Sequence, residues 1–168
     1  VVATADAAAM ACAAWALPDN IAGGALLLAG DGDAARDRFA KALALASDYL
    51  APRFNLGLIA MQARDHASAL AQFDAIAKAS PDYLGLHLVR GHALLASRRV
   101  DEAVGELRLA TTRRPDNATA HMLLGHALSA NSEPKEAQVA WCRARDLGDT
   151  ASAKLCTLGA SALPPAAP

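Results

Sequence analysis

Aromatic residues are scarce in this chain: Phe, Trp and Tyr together make up 4% of it, although 54% of its residues are apolar. Alanine fills the shortfall, and because it has the highest helix propensity and lets two backbones approach closely, packed helices are expected. A formal net charge of −1 gives no general attraction to phosphate backbones or anionic lipid. A continuous basic stripe with stacking aromatics is also missing, so nucleic acid is not an expected partner. The cysteines, Cys12, Cys142 and Cys156, are odd in number and form no CxxC pair. Neither a disulfide framework nor a zinc site is therefore expected, and they read as small hydrophobes in helix packing. The alanine-rich stretch 1–17 holds Asp6, lacks a basic flank and is shorter than the roughly 20 residues of a spanning helix. It reads as a soluble helix, with no direct membrane insertion. The glycines of Gly30-Asp31-Gly32-Asp33 lack the lysine, serine and preceding strand of a phosphate loop, so no cofactor site is expected.

What the chain does have is a period. Gly57, Gly91, Gly125 and Gly159 recur at a spacing of 34, as do Ala35, Ala69, Ala103 and Ala137. Phe39, Phe73, Leu107 and Trp141 hold a third position that is always large and apolar, and Pro81 and Pro115 close two units. Small, small, bulky and proline positions in that order suit a stack of helical hairpins. The small residues lie where two helices cross, the bulky one fills the gap, and proline ends the second helix.

This pattern resembles the tetratricopeptide repeat family, whose motif matches Asn55-Leu56-Gly57, Ala69, Phe73 and Pro81. The resemblance implies an all-α superhelix of helical hairpins without a sheet. Residues 1–17 read as a helix, half of an incomplete repeat, because Pro18-Asp19-Asn20 mimics the unit ending Pro115-Asp116-Asn117. Residues 18–49 form a first repeat with a shortened first helix near 21–29, weakened at Gly23-Gly24. Residues 50–83, 84–117 and 118–149 form regular repeats, with first helices over 51–63, 83–97 and 118–130 and second helices over 66–79, 100–113 and 134–146. A capping helix over 150–163, started by Thr150, and a proline-rich tail over 164–168 complete about ten helices. The chain begins at Val1 without an initiator methionine, as a processed or excised piece does.

The first helices carry a second stripe, turned away from the packing positions. In the second repeat it comprises Phe54, Leu58, Met61 and Gln62, in the third Leu88, His92, Leu95 and Ala96, and in the fourth Met122, His126, Ser129 and Ala130. In the family such positions line a concave groove that receives ligand peptides. The resemblance therefore implies a protein–protein interaction scaffold that takes an apolar or amphipathic segment of another protein and supports assembly of a larger complex. Of the basic and asparagine clamp that binds acidic chaperone tails in this family, only Asn55 is matched. Gly85, Val89, Thr119 and Leu123 stand where the remainder would lie, which argues against that ligand.

His87 and His121 are equivalent by the repeat, and so are His92 and His126. His87 and His92 lie five apart, off the spacing that places two ligands on one metal, and no carboxylate flanks the groove histidines. No metal site is expected; pH-sensitive partner contact is the sharper alternative to simple framework polarity. Asp31, Asp33 and Asp37 make the first repeat acidic, while Arg90, Arg98, Arg99, Arg108, Arg113 and Arg114 make the third basic. Opposite signs along a solenoid favour head-to-tail self-association. No nucleophile with an adjacent base, paired acids or phosphate loop is present, so the chain reads as no enzyme in itself. The alternative is a non-catalytic arm of a larger bacterial enzyme, such as a transferase or hydroxylase. Composition suggests a soluble bacterial protein, cytoplasmic or periplasmic.

Overall fold

The computed structural model describes residues 2–158, with side chains over 14–157. The described residues hold nine α-helices and no strand. They fall into two compact units, Val1–Tyr83 and Leu84–Pro168. The first unit contains α1 (Val2–Leu28), α2 (Gly32–Leu45), α3 (Leu50–Gln62) and α4 (His66–Ala79). The second contains α5 (Leu86–Ala96), α6 (Val100–Arg113), α7 (Ala118–Ala130), α8 (Pro134–Asp146) and α9 (Ser152–Leu158). Helices pair as hairpins α1–α2 and α3–α4 in the first unit and α5–α6 and α7–α8 in the second, with α2 packed on α3, α6 on α7 and α8 on α9.

Each hairpin is fixed by one close approach. An added Cβ on Gly57 would lie 2.4 Å from Phe73, on Gly91 2.7 Å from Leu107, and on Gly125 2.5 Å from Trp141. Gly23 belongs to the same series, with Phe39 at 2.6 Å, and is a crossing position, not the helix weakener expected from Gly23-Gly24. Phe39, Phe73 and Leu107 are wholly buried, as are Ala35, Ala69, Ala103 and Ala137 beside them.

The helix ends repeat with equal regularity. Gly30, Arg64, Arg98 and Ser132 all take positive φ, between 59° and 85°. The next residue's N–H returns to a carbonyl five back: Asp31 to Leu26, Asp65 to Ala60, Arg99 to Leu94 and Glu133 to Leu128. That bond pattern satisfies carbonyls the helix end would otherwise orphan. Of the helices that follow, α2 and α4 start on side-chain caps, at Asp31, which accepts from the Ala34 N–H, and Asp65, which accepts from that of Ser68, each at 3.0 Å. Hydrogen bonds from the Ser68 side chain and backbone hold the Asp65 carboxyl below its ordinary pKa. The helices α4 and α6 end on non-helical residues, Ser80 and Arg114, each of which precedes a proline.

The second helices over 66–79, 100–113 and 134–146 lie where the sequence placed them. Four expectations about helix boundaries need correction. The helix break at Pro18 does not occur, because α1 runs through it to Leu28. In the 34-residue register Pro18 is the counterpart of Pro52, in the first turn of α3, and not of Pro115. The first hairpin's first helix is therefore not short: it ends at Leu28 as α3 ends at Gln62. The helix expected from residue 83 begins at Leu86, because Gly85 adopts φ 81° just before it. The last helix is capped by Asp149, which accepts from the Ser152 N–H at 3.0 Å, and not by Thr150. Gly159, the continuation to residue 163 and the proline-rich stretch lie outside the described residues.

Cys142 and Cys156 form a disulfide, contrary to their reading as isolated hydrophobes. Folding of α9 back onto α8 brings their Cα atoms to 4.7 Å. The Gln138 amide donates to the Cys156 carbonyl at 2.9 Å across the same contact. A loop of this length is worth about 3 kcal/mol in the chain-entropy view. Reduction, or Cys142→Ser, is expected to lower the stability of the second unit by about that amount, read as a shifted urea midpoint with and without dithiothreitol. Two glycines give an opposed pair of outcomes. Gly125→Ala drives a methyl into Trp141 and should cost about 1–3 kcal/mol. Gly105, helical in α6 with open space around it, should gain about 0.5–1 kcal/mol as alanine. Chemical melts of both variants check the sign.

Candidate partner-binding surfaces

The second stripe of the first helices stands clear of the glycine crossings. In α3, Phe54, Asn55, Leu58 and Met61 are half-buried and Gln62 is exposed. Phe54 is partly spent on packing: its ring lies 6.0 Å from that of Phe73 and 5.4 Å from that of Tyr83. Burial raises the Tyr83 pKa, with Tyr49 adding to it. The first unit thus presents Leu58 and Met61 beside an aromatic cluster.

In the second unit the stripe comes from α5 and α7, which lie side by side. Leu88, Leu95, Met122 and Ser129 are half-buried, and His92 and His126 are exposed, as are Ala96 and Ala130. The His126 ring meets Trp141 edge-on at 5.5 Å. Although the residue as a whole is exposed, desolvation of the ring lowers its pKa from the ordinary 6.5, with the Asp149 carboxylate opposing. His126 is thereby tied to the residue that fills the α7–α8 crossing.

The repeat-equivalent histidines do different things. His87 Nδ1 lies 2.8 Å from a Glu106 carboxylate oxygen, and Arg90 takes the other oxygen of the same carboxylate. His121 Nε2 lies 3.1 Å from the Pro115 carbonyl. Among the described residues no three His, Cys, Asp or Glu side chains gather as a metal site would need.

The arginines of the third repeat are largely engaged. Arg99 bonds Glu102 through two nitrogens at 2.7 and 2.6 Å, and Arg108 bridges Glu133 and Glu136 at 3.1 and 2.9 Å. What sequence reasoning missed is an open apolar cavity of about 440 Å³ in the second unit, floored by Leu124, Leu128 and Ala140 and edged by Arg108 and Arg143. It lies on the opposite side of α7 from Met122 and His126, and helical phase along α7 was the one signal that pointed there.

Comparison with known proteins agrees with this architecture. Tetratricopeptide repeat models match residues 22–83 and 60–127. The chain belongs to the tetratricopeptide repeat family. No curated protein matches it. Among solved structures it resembles MamA 41-end from Desulfovibrio magneticus RS-1, at 21% identity and TM-score 0.74 over 79% of this chain and 75% of that one. It also resembles TTC0263, a thermophilic tetratricopeptide protein of Thermus thermophilus, at 23% identity and TM-score 0.69 over 83% and 80%. A third likeness is to the Cut9-Hcn1 hetero-tetramer of the APC/C, at 16% identity and TM-score 0.77 over 84% of this chain and 29% of that one. These likenesses show the fold, that of a tetratricopeptide repeat protein, which is in general a protein-interaction scaffold. No helix among the described residues is long and apolar enough to cross a membrane.

The His126 shift has a definite sign. A lowered folded pKa contributes stability that is present above the ordinary value of 6.5 and lost as pH falls through the folded one. Between about pH 7 and about pH 5 the wild-type urea midpoint should fall further than that of His126→Gln.

Proposed function

We propose that this protein is a non-catalytic adaptor whose first helices take an apolar or amphipathic segment of another protein. The observation that carries this reading is the α5–α7 stripe of Leu88, Leu95 and Met122. These apolar side chains keep part of their surface open on helices whose packing faces are otherwise filled. His92, His126 and Ser129 place polar groups along the same stripe, so a bound segment finds hydrogen-bonding groups beside apolar contacts. In the first unit Leu58, Met61, Asn55 and Gln62 offer the same mixture on α3, with Phe54 fixed among aromatics at its base. Cut9, a protein of the same fold, is found in a hetero-tetramer with Hcn1. Assembly of a larger complex is the corresponding role here.

Leu88→Glu discriminates. Leu88 is half-buried and off the glycine crossing, so its replacement should change stability by no more than about 0.5 kcal/mol. In a bound complex it would place an unpaired charge against an apolar segment and should weaken binding at least about tenfold. Affinity capture from the source cell with wild type, Leu88→Glu and His126→Ala, alongside thermal melts, reads both quantities. Unchanged partner recovery with an unchanged melt would remove this face from consideration. A collapsed melt would show that the stripe is structural.

A further inference from the structure

A polar pair recurs across the hairpins, joining a residue of the first helix to the residue 19 further on in the second. In α1–α2 it is Asp19 with Arg38, at 3.0 Å. In α3–α4 the Arg53 guanidinium donates to the Gln72 amide oxygen at 3.5 Å, and in α5–α6 His87 Nδ1 lies 2.8 Å from the Glu106 carboxylate, which also takes Arg90. The chemistry changes from hairpin to hairpin while the contact stays. In α7–α8 the same two positions hold His121 and Ala140, and Leu124 stands where Arg90 stands in α5. Alanine offers His121 no polar group, and the His121 Nε2 meets the Pro115 carbonyl at 3.1 Å instead.

These replacements lie at the floor of the open apolar cavity of about 440 Å³, where Leu124 and Ala140 take the positions that carry a paired arginine and glutamate one repeat earlier. Its edge is also unlike the other hairpins. Arg143 stands where Leu109 and Ala75 stand, and Val139, 71% exposed, stands where Gly105 and Ala71 do. Of the charges at the edge, Arg108 and Glu136 are bonded to each other, whereas the exposed Arg143 pairs with no carboxylate among the described residues. The balance left over is one guanidinium and one imidazole above an apolar floor. A carboxylate carried beside apolar carbon is what complements it. The cavity is formed by α6, α7 and α8, so it owes nothing to where the chain begins.

We propose that this cavity is a second docking site, on the opposite side of α7 from the α5–α7 stripe, for a segment of another protein that presents an aspartate or glutamate beside a large apolar residue. The incoming acid takes towards His121 the part that Glu106 plays towards His87, with Arg143 as its second cation, and the apolar neighbour covers Leu124, Leu128 and Val139. A free amphiphilic acid suits the cavity less well, because small-ligand sites bury most of the ligand's surface and this one is open. A polypeptide segment continues its contacts beyond the opening, over the exposed Val139.

The probe is a phage-displayed library of random peptides, selected on the immobilised whole chain after depletion on Arg143→Glu. Recovered peptides should carry Asp or Glu next to Leu, Ile, Met or Phe. Fluorescence anisotropy of synthetic copies should show binding at least about tenfold weaker to Arg143→Glu, whose melt should match wild type because Arg143 is exposed. Ala140→Glu gives the fourth hairpin a carboxylate of its own and should weaken the same peptides about as much. Should Ala140→Glu melt early, Arg143→Glu decides alone. Lys78→Glu, an equal change of charge in the first unit, should leave their binding as it is. A selection that recovers no peptide, peptides without an acid, or peptides that bind Arg143→Glu as well as wild type would overturn the proposal. Octanoate titrated in parallel tests the other occupant: octanoate binding that is lost on Arg143→Glu, with no acidic peptide recovered, would replace the partner segment with a free amphiphile and equally overturn it.

Discussion

Four absent Cβ atoms set the geometry of this fold. At Gly23, Gly57, Gly91 and Gly125 the space a side chain would take is occupied by Phe39, Phe73, Leu107 and Trp141 at 2.4–2.7 Å from the would-be Cβ. Because the two helices of each hairpin touch there, the bulky residue can change from ring to branched chain to indole while the glycine stays. Trp141 shows the limit of that tolerance. Its indole Nε1 is buried without a hydrogen-bond partner, a polar cost of about 1–3 kcal/mol that a phenylalanine in its place would not carry. The size of the indole, and its edge contact with His126, is what it brings in return.

Much of this was legible in the residues, and the misses have physical reasons. Spacing alone gives the crossings at Gly57, Gly91 and Gly125 and the second helices, since a close approach demands one residue type. Gly23 was hidden because Gly23-Gly24 looks like a helix breaker and because Pro18 has two partial likenesses, to Pro52 and to Pro115. The turns at Arg64, Arg98 and Ser132 carry no glycine to advertise their positive φ. They inherit the conformation from the surrounding register, where Gly30 occupies the same place. The Cys142–Cys156 pair was unreadable in principle, because it depends on where α9 folds and no local motif encodes that. Of the candidate surface, helical phase identified which side chains remain open. It did not reveal that Phe54 is half consumed by Phe73 and Tyr83.

Charge turned out to be spent inside each unit. The basic third repeat pairs Arg90 with Glu106, Arg99 with Glu102 and Arg108 with Glu133 and Glu136. The exposed pairs, Arg99 with Glu102 and Arg108 with Glu136, add little stability, but they neutralise a patch that would otherwise repel or attract at long range.

The two terminal helices handle their outer faces in opposite ways. The helix α9, described over Ser152–Leu158, lies on α8 and is held there by the disulfide, the Gln138 bond and the Asp149 cap. α1 is tied to α2 by Arg38 on Asp19 and to the turn after it by Asn20 on the Tyr49 hydroxyl, and it leaves Leu17, Ile21 and Leu28 exposed on its outer side. Packing positions and open positions are separated by helix phase in both units, so open-face residues can change without disturbing a glycine crossing. That separation is what lets one hairpin register carry surfaces as different as the histidine-marked stripe of α5 and α7 and the uncharged face of α1.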